Sequence, residues 1–594
     1  MNQFSGGVRI PTVFRSDHSL PEYPRNLAVM LNENAHKFDQ SPIYQEVRDG
    51  RYVPLSWSAF QKEVASIQTF LARLGLKKGD RVAILSRNRQ EMLETELAVM
   101  AMGAVSVPIF AGYPGARANS LVRFCEPTLV AVSDQEQYDK LSSPGDFAGI
   151  VHFDPLDSPG TGNLIPFREL LESDGTPGEI KGTGVSSGAV ALMMYTSGTM
   201  GRPKCVQLTH GNILSQQSAM RVLWKLSHRD RFLSYLPWHH SFGGIFEKYA
   251  AITNGAVLSL ENGYGKNTDA LLENWEKVHP TVFFSVPRIY QELVTRALQD
   301  RAVDRVIFHE GLRFVFTAAA PLPENISRIF EERGIPVVEG WGLTETSPCC
   351  TVTDPNLPRK RGVVGKPIPG VEVRLADDGE ILVKGPNVMK GYFKNEEATR
   401  EALSEDGWFR TGDVGEFTEQ GLRLISRKDR MFKLSNAEMV VPTEIENLIV
   451  KDCAFLSHAF VAGSGRDYPV ALLFPNKSMF SQMPDEGRLK KGCRRPRSLE
   501  QLSRCLRTCL RELNQALNIP YYRLGSTMLL DRQLTIENQE LTPSMKLAPN
   551  VVGKVFKADI ERLYGSKPDN EDDLSGSLDE PGGRVGKVYV ISLE

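Results

Sequence analysis

The sequence predicts an α/β protein in two parts. One is a large N-terminal domain of several subdomains with mainly parallel sheets and a β-rich subdomain, and the other is a small α+β domain at the C-terminus. Three observations carry this. Short apolar runs alternate with helical patterns through the first part of the chain. Past residue 365 the texture changes to alternating segments separated by turn residues. And 594 residues exceed what one hydrophobic core usually serves.

The elements follow in order. Residues 57–74 (WSAFQKEVASIQTFLARL) carry apolar side chains at helical spacing and stop at Gly75, a natural C-terminal glycine. The turn KKGD leads to RVAILS (81–86), a strand, then to a helix over about 89–102 and to AVSVPIF, a second strand. TLVAVS (128–133) and AVALMMY (189–195) are further strands ahead of polar loops. Such continuous apolar runs belong to parallel strands buried on both faces. VEVRLADDGEILVKG places a DDG turn between two strands, and GLRLISRKDRMFKL alternates in the same way, so hairpins are expected. After about residue 430, EIENLIV, HAFVAGS and YPVALLFP give the smaller α+β region. The basic run GRLKKGCRRPR (487–497) reads as a solvated loop, and LEQLSRCLRTCLRELNQAL as a helix. From Ser566 the chain turns acidic and rich in Gly and Pro, the composition of a disordered tail. The expected partition is 1–428, 429–565 and a disordered 566–594.

Composition excludes several classes. Hydrophobic residues at 41%, charged residues at 24% and a net charge of −2 describe an ordinary globular chain with no electrostatic footprint for nucleic acid. The N-terminus has no apolar core of signal-peptide length and no run approaches 18 apolar residues, so the expected address is cytoplasmic. The eight cysteines follow no metal spacing. Cys505 and Cys509 stand four apart, but with no further ligands nearby they read as ordinary thiols.

Chemistry begins at YTSGTMGRPK (195–204). Glycines at 198 and 201 let backbone N–H groups turn toward an anion, Thr196, Ser197 and Thr199 offer hydroxyls, and Lys204 offers a point charge. The spacing is not that of a Walker A loop, and GVVGKP (362–367) does not supply one either. On composition alone the loop is equally a phosphate cradle or a polar turn.

Four further stretches change that balance: GWGLTETSP (340–348), RTGDVG (410–415), SRKDRMFKLSNAEMVVPTEIE (426–446) and LTPSMK (541–546). With YTSGTMGRPK they stand in the order and at about the separations found in adenylate-forming (AMP-binding) enzymes, and the chain resembles that superfamily from about residue 25 to 560. LPWHHSFGG (236–244), VPRIY (286–290) and TAAAPLP resemble its long-chain fatty-acyl-CoA synthetase branch most.

The resemblance implies a set of roles. Thr196, Ser197, Gly198, Thr199, Gly201 and Lys204 would hold the β- and γ-phosphates of ATP. Glu345 would bind Mg²⁺, a hard cation suited to a carboxylate oxygen, beside Thr344 at the α-phosphate. Ala318, Trp341 and Gly342 would bind the nucleotide, with Trp341 in place of the tyrosine that usually stacks on adenine. Asp413 and Arg427 would contact the ribose, and Asp429 matches the hinge on which the small domain swings, which makes that domain mobile. Lys546 matches the adenylation lysine, bridging substrate carboxylate and α-phosphate. His240 matches the segment between acyl and phosphate sites; His239 has no match and reads as structural.

The implied activity has two steps. A medium- or long-chain fatty acid and ATP give acyl-AMP and pyrophosphate, and acyl-AMP and CoA, a co-substrate, then give acyl-CoA and AMP. Transient contact with a membrane surface is compatible with such a substrate, although no amphipathic anchor is visible. Three positions depart from the family pattern: Met200, Cys205, and Ala437 at a glycine that lines the pantetheine tunnel. Ala437 keeps open an alternative, a fatty-acyl-AMP ligase delivering to an acyl carrier protein. A catalytically inactive nucleotide-binding scaffold is the other, and its signature would be loss of Glu345 or Lys546.

Overall fold

The computed structural model describes residues 13–565 other than 158–161, 173–177, 197–203, 319–321, 361, 452, 454, 477–495, 536–537 and 543–546, together with 4–5, 8–9, 575–579 and 585–593. The chain divides into two compact units. The larger holds nearly all of the chain up to Leu424; the smaller runs from Ile425 onward and also takes in Gly412–Val414.

In the larger unit the expected alternation is realised. The helix Trp57–Arg73 starts on Ser56, whose hydroxyl accepts from the Ala59 N–H, and ends before Gly75 at φ +84°. It is followed by the strand Arg81–Ser86, the helix Gln90–Ala101 and the strand Val105–Phe110. Arg81–Ser86 pairs in parallel with Val105–Phe110 on one side and Leu129–Val132 on the other, and the sheet extends to Val190–Thr196. All four residues of Leu129–Val132 are buried, as a strand covered on both faces requires.

A second sheet is also parallel at its centre, where Val257–Leu260, Arg231–Ser234, Val282–Ser285, Phe314–Thr317 and Val337–Gly342 lie side by side. Beyond Val337–Gly342 the pairing turns antiparallel, through Cys349–Val352 and Val363–Pro367. The sheets are therefore mixed. The DDG hairpin forms as expected, with Leu375 opposite Ile381 and Gly379 at φ +81° in the turn. GLRLISRKDRMFKL does not close on itself. Gly421–Arg427 is one strand, whereas Phe432–Lys433 pairs with Met439–Val440.

The smaller unit is a sheet with helices on both faces, and the strand sequences show why. In Val470–Pro475 side chains alternate between two cores. Ala471 and Leu473 face a cluster with Ile445 and Ile449 of the helix Pro442–Lys451 and Leu502, Leu506 and Leu510 of the helix Leu499–Ala516. Val470, Leu472 and Phe474 face Val552 and Leu563 of the two last helices and Phe556 between them.

The expectation of a disordered 566–594 is corrected for part of that segment. Ser575–Asp579 and Val585–Ser592 are strands, and the latter pairs antiparallel with Ser526–Leu530. The acidic stretch dominates the average composition and hides a terminal VYVIS run, whose Ile591 is buried in the core.

Candidate active site

The phosphate-loop motif sits between two paired strands. Val190–Thr196 leads in and Lys204–Thr209 leads out, antiparallel, with Tyr195 opposite Cys205 and Thr196 opposite Lys204. Thr196 and Lys204 thus stand at the two rims of the loop; Ser197, Gly198, Thr199, Met200 and Gly201 lie outside the described residues. Cys205 is 1% exposed and packs with Met193 and Cys125, and burial pushes its thiol pKa up. Its departure from the family glycine is thereby a packing matter on the face turned into the core.

The GWGLTET segment is placed by a strand that ends abruptly. Val337–Gly342 carries Trp341, 7% exposed, and a bulge separates Trp341 from Gly342 in the pairing with Cys349–Val352. A Cβ on Gly342 would lie 1.7 Å from the Pro348 carbonyl oxygen, so only glycine fits this close approach. A single 3₁₀ turn, Thr344–Thr346, follows. Its two threonines differ in task. The Thr346 hydroxyl accepts from the Leu343 N–H at 3.0 Å and donates to Pro348 O at 2.8 Å, holding the turn closed. The Thr344 hydroxyl instead meets the Ser241 hydroxyl at 3.1 Å. That contact joins the turn to PWHHSFGG. Ala318 sits half-buried just after the strand Phe314–Thr317.

The PWHHSFGG segment runs into a π-helical turn, Phe242–Glu247. A Cβ on Gly244 would lie 1.9 Å from the Trp238 carbonyl oxygen, so the second glycine lets the turn fold against the residues before it. The Phe242 N–H donates to Nδ1 of His240 at 3.3 Å, which puts the proton of a neutral His240 on Nε2. His239 packs its ring on Phe110 at 4.5 Å, and burial lowers its pKa to about 3, so it stays neutral.

Glu345, only 8% exposed, accepts a hydrogen bond on Oε1 from the Tyr392 hydroxyl at 2.9 Å. The same Tyr392 ring carries the Lys204 ammonium 4.7 Å from its centroid. Tyr392 belongs to the two-residue strand Gly391–Tyr392, paired with Val206 and Gln207, and the Met389 N–H donates to the Glu345 carbonyl at 2.8 Å. The expected phosphate lysine and metal carboxylate are therefore brought to one tyrosine. Sequence reasoning passed over that residue, because NVMKGYF has neither helical nor strand period and no motif chemistry of its own. Asn387 was missed likewise; its Nδ2 donates to the carbonyls of Thr346 and Cys349 and holds the turn in place.

In the smaller unit, Gly412 takes φ +71° and Asp413 is 9% exposed. Arg427 Nη1 reaches Asp413 Oδ1 at 3.0 Å, and its Nε lies 3.8 Å from Asp429 Oδ1. The two expected ribose contacts and the expected hinge residue thus form one charge cluster. Lys546 lies outside the described residues. Among the described residues no group of three or more His, Cys, Asp or Glu could hold a metal by itself. A lone buried carboxylate like Glu345 suits a cation that takes its remaining oxygens from substrate phosphates.

A lysine at the rim of a loop, a buried carboxylate and a hydroxyl-bearing turn stand on mixed α/β sheets, and comparison with known proteins makes the chain an adenylate-forming CoA ligase. The chain belongs to the AMP-binding enzyme family, whose model matches residues 31–393, and the AMP-binding enzyme C-terminal domain matches 429–567. It is 27% identical to the long-chain-fatty-acid–CoA ligase FadD15 of Mycobacterium bovis, over 91% of this chain and 97% of that one. Against the peroxisomal long chain acyl-CoA synthetase 7 of Arabidopsis thaliana it is 28% identical, over 87% and 83%. In fold it resembles the O-succinylbenzoate CoA synthetase MenE of Bacillus subtilis in complex with AMP. That match has a TM-score of 0.70 at 22% identity and covers 89% of this chain and 98% of the other.

Proposed function

We propose that this CoA ligase acts on medium- or long-chain fatty acids in the cytoplasm. The fatty-acid part of this reading is supported by the names of its relatives, and the adenylation part by one observation, the meeting of Glu345 and Lys204 at Tyr392 beside Thr344. An oxygen of the fatty carboxylate attacks the α-phosphorus of ATP, and the bond to pyrophosphate breaks. The CoA sulfur then attacks the acyl carbon, and AMP leaves.

Both partners of the first step are anions, so positive charge must offset their repulsion. Lys204, with the phosphate-loop hydroxyls and glycines, would hold the β- and γ-phosphates. Glu345 would hold Mg²⁺, which supplies charge neutralisation as pyrophosphate departs. Trp341 would stack on adenine, Ala318 and Gly342 would also bind the nucleotide, Asp413 and Arg427 would take the ribose, and Lys546 would stabilise charge passing from carboxylate to α-phosphate. His240 needs no acid–base role, because a carboxylate attacks phosphorus without losing a proton. Asp429 would be the hinge between the two half-reactions.

Ala437 bears on the acceptor. Its φ is +65°, so a glycine preference there has a backbone reason apart from tunnel width, and the alanine is no argument against CoA. The test separates the steps: pyrophosphate release and thioester formation are followed over a panel of carboxylates, with and without CoA. Lys546→Ala is expected to cut pyrophosphate release by on the order of 10²–10³ while sparing thioester formation from preformed acyl-AMP. Equal loss of both steps sinks the lysine's role, and pyrophosphate release with no CoA thioester for any acid sinks the acceptor.

A further inference from the structure

We infer that Tyr392 is a positioning residue for the triphosphate chemistry, keeping the Lys204 ammonium and the Glu345 carboxylate apart and aimed. The inference rests on the assignment of those two groups to ATP under the reading above.

An ammonium and a carboxylate in the same half-buried neighbourhood attract strongly, and a direct ion pair would quench both before a nucleotide arrived. Among the described residues Lys204 and Glu345 form no ion pair with each other; each instead meets a different part of one tyrosine. The hydroxyl donates to Glu345 Oε1 at 2.9 Å. A hydrogen bond to a charged acceptor is directional, so it fixes the carboxylate's rotation and engages one oxygen, which turns the other toward a cation. The ring face holds the Lys204 ammonium at 4.7 Å by its negative quadrupole, a weaker tether that a phosphate can outcompete.

The tyrosine is itself firmly held. It is 5% exposed, its N–H donates to the Thr399 hydroxyl at 2.9 Å, and Val206 pairs with it across the strand that begins at Lys204. The Phe393 N–H donates to Cys205 O at 2.8 Å and the Met389 N–H to Glu345 O at 2.8 Å, so the backbone on either side is tied to Glu345 and to the residue that follows Lys204. The arrangement is a rigid spacer between opposite charges, with a fixed end for the carboxylate and a yielding end for the lysine.

The two ends are separable by substitution. Tyr392→Phe keeps the ring and loses only the hydroxyl; Tyr392→Leu loses both. On the full chain, Mg²⁺ is titrated in the presence of a non-hydrolysable ATP analogue by calorimetry, and Mg²⁺ and ATP dependences of pyrophosphate release are measured alongside. Tyr392→Phe is expected to raise the half-saturating Mg²⁺ about tenfold with the ATP KM at saturating Mg²⁺ unchanged. Tyr392→Leu should also raise the ATP KM several-fold, and both variants should form thioester from preformed acyl-AMP at the wild-type rate. An unchanged Mg²⁺ dependence in Tyr392→Phe overturns the inference. So does equal loss of both half-reactions, which would mark a merely structural role. Glu345→Gln distinguishes the levels. If it leaves Mg²⁺ binding untouched, the ATP assignment itself fails. If it impairs Mg²⁺ binding while Tyr392→Phe does not, only the spacer role fails.

Discussion

Lys248→Met tests how the PWHHSFGG segment is held. Lys248 and Glu96 are both 0% exposed and form an ion pair, and the Tyr249 hydroxyl also donates to Glu96 Oε1 at 3.2 Å. The ammonium lies 5.2 Å from the Trp238 ring and 5.1 Å from the Tyr249 ring. Burial lowers the lysine's pKa while Glu96 raises it. The pair follows directly on the π-helical turn and touches Trp238 before it, so it anchors both ends of the segment that carries His240. Removing the lysine leaves a buried carboxylate uncompensated, at a cost of about 3–5 kcal/mol. For a unit of roughly 400 residues the unfolding entropy is ~0.9 kcal/mol per kelvin, so the melting midpoint should fall by about 3–6 °C. Replacing both partners, Lys248→Met with Glu96→Leu, should return to within about 1 kcal/mol of wild type, because an apolar pair needs no charge compensation. Calorimetric melting of the wild type, both single variants and the double variant gives the coupling. Additive losses, with the double variant as destabilised as the sum of the singles, would refute the ion-pair argument.

Two further outcomes are expected. Glu247 is fully buried with Oε2 accepting from the Ser234 hydroxyl at 2.6 Å, and burial raises its carboxyl pKa well above the ordinary value. The native chain therefore keeps a proton that the unfolded chain gives up. This contribution is full below about pH 4.3 and is lost at about 1.4 kcal/mol per pH unit as pH rises toward the folded value. Glu247→Gln removes that slope, so stability curves of variant and wild type between pH 5 and 7 should diverge in the variant's favour; parallel curves would show the carboxyl already ionised. Ala437→Gly should stabilise the smaller unit by about 0.5–1 kcal/mol, the left-handed penalty of alanine less the extra chain entropy of glycine. Denaturant unfolding checks it, and a lowered midpoint would mean that the methyl makes a favourable contact.

Much of the candidate site could be drawn from the sequence because the chemistry expected of it is local. Phosphate loops, a TGD turn and a GWGLTET run need particular residues at fixed short spacing, and the order of five such stretches survives in a linear reading. The helices and buried strands were legible for a similar reason, since Trp57–Arg73 and Leu129–Val132 declare themselves by period and by continuous apolarity. GLRLISRKDRMFKL was misread as a hairpin because alternation states that a segment is extended, not which strand it pairs with. The tail was misread because fifteen acidic and turn-forming residues outweigh the five of VYVIS in any average over the segment.

By itself the sequence determined the class of chemistry and the order of the parts along the chain, since both depend on residue type and short separation. Only the tertiary structure decided that Glu345 and Lys204, 141 residues apart in number, share Tyr392, and that Thr344 faces Ser241 while Thr346 closes its own turn. Contacts of that kind arise where separate strands are brought together by burial of their apolar faces. No local pattern records which side chains then meet.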